Sequence, residues 1–65
     1  MNTDNTLSLN ENSTLVWAWK IDKEGNVVIY SPFNEEYVAL RHEFTEAPTN
    51  ETVLKYIKQK IVFDN

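Results

Sequence analysis

The segment 14-TLVWAWKIDKEGNVVIY-30 determines the predicted fold. Its first eight residues alternate in the manner of a half-buried strand, with one face formed by Leu15, Trp17, Trp19 and Ile21. Residues 22–25 are typical of a turn, because Asp22 suits the first turn position and Gly25 readily adopts a positive φ. Residues 27–30 then form the return strand. The sequence therefore predicts a β-hairpin over about residues 14–30.

The residues after the hairpin fit either a helix or a third strand over about residues 33–45. Ser31 and Pro32 favour a helix start, since Ser is a common N-cap and Pro fits the first helical turn. One helical stripe then consists of Phe33, Tyr37, Leu40 and Phe44. An alternation over residues 38–44 also indicates a strand that follows a turn at residues 34–36. Both interpretations stay open at this point.

The C-terminal part of the chain predicts a helix over about residues 50–62. Pro48 interrupts the preceding segment, and Thr49 or Asn50 caps the helix. The fold class is therefore α+β, in a single small domain over residues 14–65. The preceding residues 1–13 are rich in Asn, Thr and Ser and predict a disordered polar tail. The alternation of Leu7 and Leu9 permits an edge strand there as the alternative.

The composition argues against catalysis and against metal binding. The 65-residue chain has no cysteine and one histidine, His42, which disfavours disulfides and a zinc site. Its one glycine disfavours a phosphate-binding loop, and His42 and Glu43 are poorly placed for an acid–base pair. We therefore expect no catalytic residue, no cofactor and no metal, in a protein that is not an enzyme.

Charge and hydropathy narrow the class of partner. The formal net charge is −4, whereas binding to DNA or to anionic lipid relies on Lys and Arg. Nucleic-acid binding through Lys55, Lys58 and Lys60 is therefore a minor alternative. The chain has no apolar run of about 18 residues, which predicts no membrane span. The polar N-terminus lacks the features of a secretory signal, so a cytoplasmic protein is expected.

The acidic residues are concentrated in one part of the chain. Residues 31–51 contain five Glu and one Arg, whereas residues 52–63 contain three Lys and no acid. The two segments either attract each other or present a negative strip to a basic protein, because complementary charge steers association. The candidate partner-binding residues in this strip are Glu35, Glu36, Glu43 and Glu46.

The hairpin has one apolar face more than two short helices can cover. Trp17 and Trp19 lie on one face, and the other face carries Val16, Ala18, Val28 and Tyr30. An uncovered face would bind a partner or pack on a second copy in a homodimer, because exposed apolar patches and Trp mark binding sites. Trp17 and Trp19 are therefore candidate partner-binding residues. Which face forms the core is open, and a third strand with tight packing would leave no surplus.

The layout of Trp19–Ile61 resembles that of small phage-encoded inhibitors of uracil-DNA glycosylase. The shared features are a hairpin with an acidic Asp-x-x-Gly turn, an aromatic return strand, the acidic segment Asn34–Tyr37 and a closing helix. Those inhibitors are short, acidic and dimeric, and they imitate DNA to block the basic groove of the enzyme. The resemblance implies phosphate mimicry and loop capture by Glu35, Glu36, Tyr37 and Glu43. The polar tail and the basic final helix depart from that pattern.

The sequence therefore predicts a small, non-enzymatic, acidic protein-binding module. The main hypothesis is an inhibitor or regulator of phage or mobile-element type, present as a homodimer. It would cover a basic or apolar surface of a protein partner, such as a basic nucleic-acid enzyme. The alternative hypothesis is a structural or assembly module that forms a homo-oligomer.

Overall fold

The computed structural model describes residues 5–12 and 14–62. They form a four-stranded antiparallel sheet in the order β1-β2-β3-β4 and one α-helix. The strands are β1 (Asn5–Leu7), β2 (Trp17–Ile21), β3 (Val27–Tyr30) and β4 (Glu36–Ala39), and the helix is α1 (Asn50–Tyr56). The predicted α+β class, with a hairpin and a C-terminal helix, is confirmed.

The segment after the hairpin is a strand and not a helix. Residues Glu36–Ala39 pair with β3, and a single 3-10 turn follows at Arg41–Glu43. The apolar stripe that favoured a helix is divided between these elements: Tyr37 lies in β4 and Phe44 lies just beyond the turn. Of the two open interpretations, the third strand is therefore the one adopted.

Strands β2, β3 and β4 form an antiparallel meander, and the two turns that join them have the same length and the same hydrogen-bonding pattern. Each spans five residues, 22–26 and 31–35. In the first turn, Asp22 Oδ1 accepts hydrogen bonds from the N–H groups two and four residues later, both at 2.9 Å. In the second turn, Ser31 Oγ accepts the equivalent two bonds, both at 3.1 Å. The fourth residue has a positive φ in both turns, 88° at Gly25 and 67° at Asn34.

The N-terminal segment contributes a short strand, which is the edge-strand alternative that the alternation of Leu7 and Leu9 permitted beside the disordered tail. Asn5–Leu7 pair antiparallel with β2, so that Leu7 lies opposite Trp17. Leu7 and Leu9 pack on the buried core and lose part of their exposed surface, and this burial offsets the entropy lost on ordering the segment. Residues 1–4 and 13, to which the tail prediction also applies, lie outside the described residues.

The core lies between one face of the sheet and α1. The register places the side chains of Trp17, Trp19, Val27, Ile29 and Ala39 on this face. They form one cluster with Val53 and Ile57, whose side chains have no exposed surface. These two residues belong to the helical segment, which consists of α1 and the π-helical turn after it and spans residues 50–61. The Trp face of the hairpin is therefore the core face, which decides between the two possibilities that the sequence left open.

The helical segment is anchored at its start and fastened to the sheet. Thr49 caps it, because its hydroxyl accepts a hydrogen bond from the N–H of Thr52 at 3.3 Å. The indole N–H of Trp19 donates to Asn50 Oδ1 at 2.8 Å. After Tyr56 the backbone widens into a π-helical turn over Ile57–Ile61. Within residues 5–12 and 14–62, no helix has the length and apolar character needed to cross a membrane.

Candidate functional site

The side of the sheet opposite the helix has no element of the described chain packed over it. Strand alternation places on this side the residues whose neighbours face the core. Two cross-strand rows result. One row is Thr6, Ala18, Tyr30 and Glu36, and the other is Lys20, Val28 and Val38. We call this surface the open face.

The open face is apolar at its centre and carries one charged residue on each side of β3, Lys20 on β2 and Glu36 on β4. Val38 is 51% exposed, whereas Val28 on β3 is buried between its row neighbours Lys20 and Val38. Val16, just before β2, is also 51% exposed and continues the alternation of this face. A partner that covered these side chains would remove apolar surface from water, which is the main driving force of protein association.

Lys20 extends across the open face in this structure. Its Nζ atom lies 5.8 Å from the centre of the Tyr30 ring, within the distance at which an ammonium group and an aromatic ring attract each other. The aliphatic part of a Lys side chain covers apolar surface while its charged end stays in water. Lys20 thus covers part of the apolar centre.

The free edge of β4 is less suited to binding a partner than the open face is. The Ser31 N–H donates to the Glu35 carbonyl oxygen at 2.8 Å, so the antiparallel alternation directs the N–H and C=O groups of Glu36 and Val38 outward. The next outward N–H, on Leu40, donates to Glu43 Oε2 at 3.0 Å. The exposed edge is therefore short, and it carries the charge of Glu36. Both properties oppose the addition of another strand.

The predicted acidic residues divide between the two ends of β4. Glu35 ends the second turn, and its Oε1 accepts a hydrogen bond from the Tyr37 hydroxyl at 2.9 Å. This bond, with smaller effects of desolvation and of the Glu35 charge, raises the pKa of Tyr37 above its usual value. Glu43 and Glu46 lie beyond the other end of the four-residue strand, which at about 3.4 Å per residue is roughly 14 Å long. The structure therefore does not bring them together with Glu35.

Glu43 and Glu46 instead share a groove with lysines. The groove has a volume of about 510 Å³ and lies between residues 43–46 and the helical segment; its charged lining residues are Glu43, Glu46, Lys55 and Lys60. The rings of Phe44 and Tyr56, which also line it, are 5.5 Å apart. Burial raises the pKa of Tyr56, and the carboxylate of Glu43 raises it further. Because both signs of charge line this groove, it does not present a negative surface.

Trp17 and Trp19 are placed where a partner does not reach them. Their side chains are 6% and 4% exposed and belong to the core cluster. Glu36 is the predicted site residue that lies on the open face. Lys20 and Val38 were not predicted as site residues, although the alternation of residues 36–39, taken as a strand, would have placed Val38 beside Val28.

A metal site needs several ligating side chains close together. Residues 5–12 and 14–62 contain no group of three or more His, Cys, Asp or Glu side chains positioned to hold a metal ion. Comparison of the chain with protein-family models, with curated proteins and with solved structures finds no match.

Proposed function

We propose that this chain is a non-enzymatic protein-binding module whose open face is the binding surface. The observation that supports the proposal is the uncovered side of the sheet, where Val16, Val38 and the half-buried Tyr30 lie among few charges. Apolar patches with Tyr near the centre and charged residues at the rim are the usual composition of protein interfaces.

The class of partner follows from the same surface and from the net charge. The open face offers one ammonium group and one carboxylate around an apolar centre, so it suits a surface that is apolar with charges of both signs. The net charge of −4 favours a basic partner at longer range. A regulator or inhibitor that covers such a surface is the role we propose, and a DNA-mimic inhibitor is the narrower form that the resemblance implies.

Affinity capture with a matched pair of variants tests this proposal. The purified protein, Val38→Asp and Ala47→Asp are used as baits in the same lysate. Each variant adds one carboxylate at an exposed apolar side chain, but Ala47 lies in the loop before α1 and not on the open face. We expect a partner with sub-micromolar affinity to bind the unmodified protein and Ala47→Asp, and to be lost from Val38→Asp, because the new charge would be desolvated in the interface.

Two results would contradict the proposal. One is that no protein is retained by any bait and that the chain also does not bind itself. The other is that Val38→Asp retains the same partner as the unmodified protein while circular dichroism shows that all three proteins are folded, because binding would then use another surface.

A further inference from the structure

We infer that the open face binds a second copy of this chain in a two-fold symmetric, face-to-face dimer. The inference rests on the proposed function, because it identifies the partner of the same surface. Its specific support is the position of the two charges on the face. Lys20 on β2 and Glu36 on β4 flank β3 on opposite sides, and they lie in different rows.

This diagonal arrangement is self-complementary. A two-fold axis that lies between two facing sheets rotates one copy onto the other. Viewed along the normal to the sheets, each position on one face then lies over the position on the other face that is its mirror image across the axis. If the axis crosses β3 midway between Val28 and Tyr30, Lys20 of each copy comes to lie opposite Glu36 of the other. Both ion pairs form at once, as a closed two-fold interface requires, while the apolar centres of the two faces meet.

The geometry of the sheet sets the angle at which the two copies cross. With strands about 4.8 Å apart and two residues spanning about 6.8 Å, the Lys20 and Glu36 positions are roughly 12 Å apart. The two-fold rotation that places Lys20 of one copy opposite Glu36 of the other makes the strands of the two copies cross at about 70°. Face-to-face sheets cross at about 30° or about 90°, and the dimer belongs nearer to the orthogonal class. The long Lys and Glu side chains accommodate the remaining difference in angle.

The size of the open face makes the dimer weak. Four strands with about four residues along each measure roughly 19 by 14 Å, which is small beside the roughly 800 Å² per partner of a standard interface. We therefore expect dissociation in the micromolar range or above, and sedimentation must cover concentrations on the order of 10 to 500 µM.

Charge-reversal variants test the pairing. Lys20→Glu places two carboxylates opposite each other across the interface, and Glu36→Lys places two ammonium groups there, so each variant alone should dimerise about tenfold or more weakly. An equimolar mixture of the two variants allows a dimer with one copy of each. In that dimer the two unmodified residues form one ion pair, and the two substituted residues form the other with the signs exchanged. The mixture should therefore recover the affinity of the unmodified protein, as should the double variant Lys20→Glu/Glu36→Lys.

Matched controls separate pairing from net charge. Lys58→Glu and Glu24→Lys make the same changes in net charge at exposed positions away from the open face, and they should leave the dimer largely intact. The inference is overturned if the protein is a monomer at about 500 µM, if a dimer persists in Val38→Asp, or if mixing the two single variants restores nothing. In the monomer case, the capture of a different protein through Val38 would leave the proposed function standing, so the two failures are distinguishable.

Discussion

Asn50 connects the helical segment to the sheet through a single side-chain hydrogen bond, from the indole N–H of Trp19 at 2.8 Å. The Trp19 side chain is almost fully buried, so truncation of Asn50 leaves its N–H without the acceptor that it has in the folded protein. We expect Asn50→Ala to lower the free energy of unfolding by about 1–3 kcal/mol, the usual effect of leaving a buried donor without an acceptor. Urea denaturation followed by circular dichroism measures this change.

A double-mutant cycle isolates the bond from other effects of the substitution. Trp19→Phe removes the donor, so adding Asn50→Ala to that variant leaves no unsatisfied N–H and should cost clearly less than Asn50→Ala alone. Equal costs in the two backgrounds would contradict the assignment, because the loss would then come from the helix start itself and not from the contact with Trp19.

At the scale of elements, the two turns show what could and could not be predicted. The first turn was predicted because Asp22 and Gly25 are the usual residues for its first and fourth positions. The second turn places Ser31 and Asn34 at the same two positions. Ser accepts backbone hydrogen bonds in the same way at a helix start and in a turn, so Ser31 alone could not decide between a helix and a strand for residues 33–45.

The candidate site was less predictable than the strands for a related reason. Alternation assigned Trp17 and Trp19 to one face of the hairpin and Val28 to the other, but it contains no information about which face the helix covers. That choice depends on contacts distant in sequence, such as the bond between Trp19 and Asn50. Glu43 likewise could not be assigned, because its position beside Tyr56 depends on the path of residues 40–49.

The shared construction of the turns predicts opposite results for substitutions at their fourth positions. Gly25 has φ 88°, and an added Cβ would lie 3.3 Å from Arg41 Cδ. We expect Gly25→Ala to lower the free energy of unfolding by about 1–2 kcal/mol, the cost of a left-handed conformation for a residue with a side chain. Asn34→Gly removes that cost from the second turn and should be neutral or slightly stabilising. Thermal unfolding of both variants compares them directly.

Equal destabilisation by the two substitutions would contradict this account. Asn34 would then stabilise the turn through its side chain. The positive φ at the fourth position would then not explain which residues the two turns accept there.

At the scale of the whole molecule, stability and association are linked. A 65-residue domain has a small core and correspondingly little stability, so binding of the folded chain to itself should have a measurable effect. We expect the midpoint of thermal unfolding to rise with protein concentration, because the dimer forms from folded copies only. Circular dichroism melts over the concentration range used for sedimentation measure this dependence.

Val38→Asp provides the comparison, since its melting midpoint should not depend on concentration. A midpoint that is independent of concentration in the unmodified protein would show that the open face does not associate with itself under these conditions.

The two short turns between β2, β3 and β4 also have a consequence for the order in which the chain folds. Residues 17–39 form three strands, and each of the two pairs of neighbouring strands is joined by a turn of five residues. The contacts within each pair therefore join residues that are close in sequence. Local contacts of this kind form early, whereas closing a long loop costs more entropy. The contact between Trp19 and Asn50 spans 31 residues and belongs to the later step, in which the helical segment docks. We therefore expect burial of the Trp19 indole to mark the end of folding, after the meander has formed.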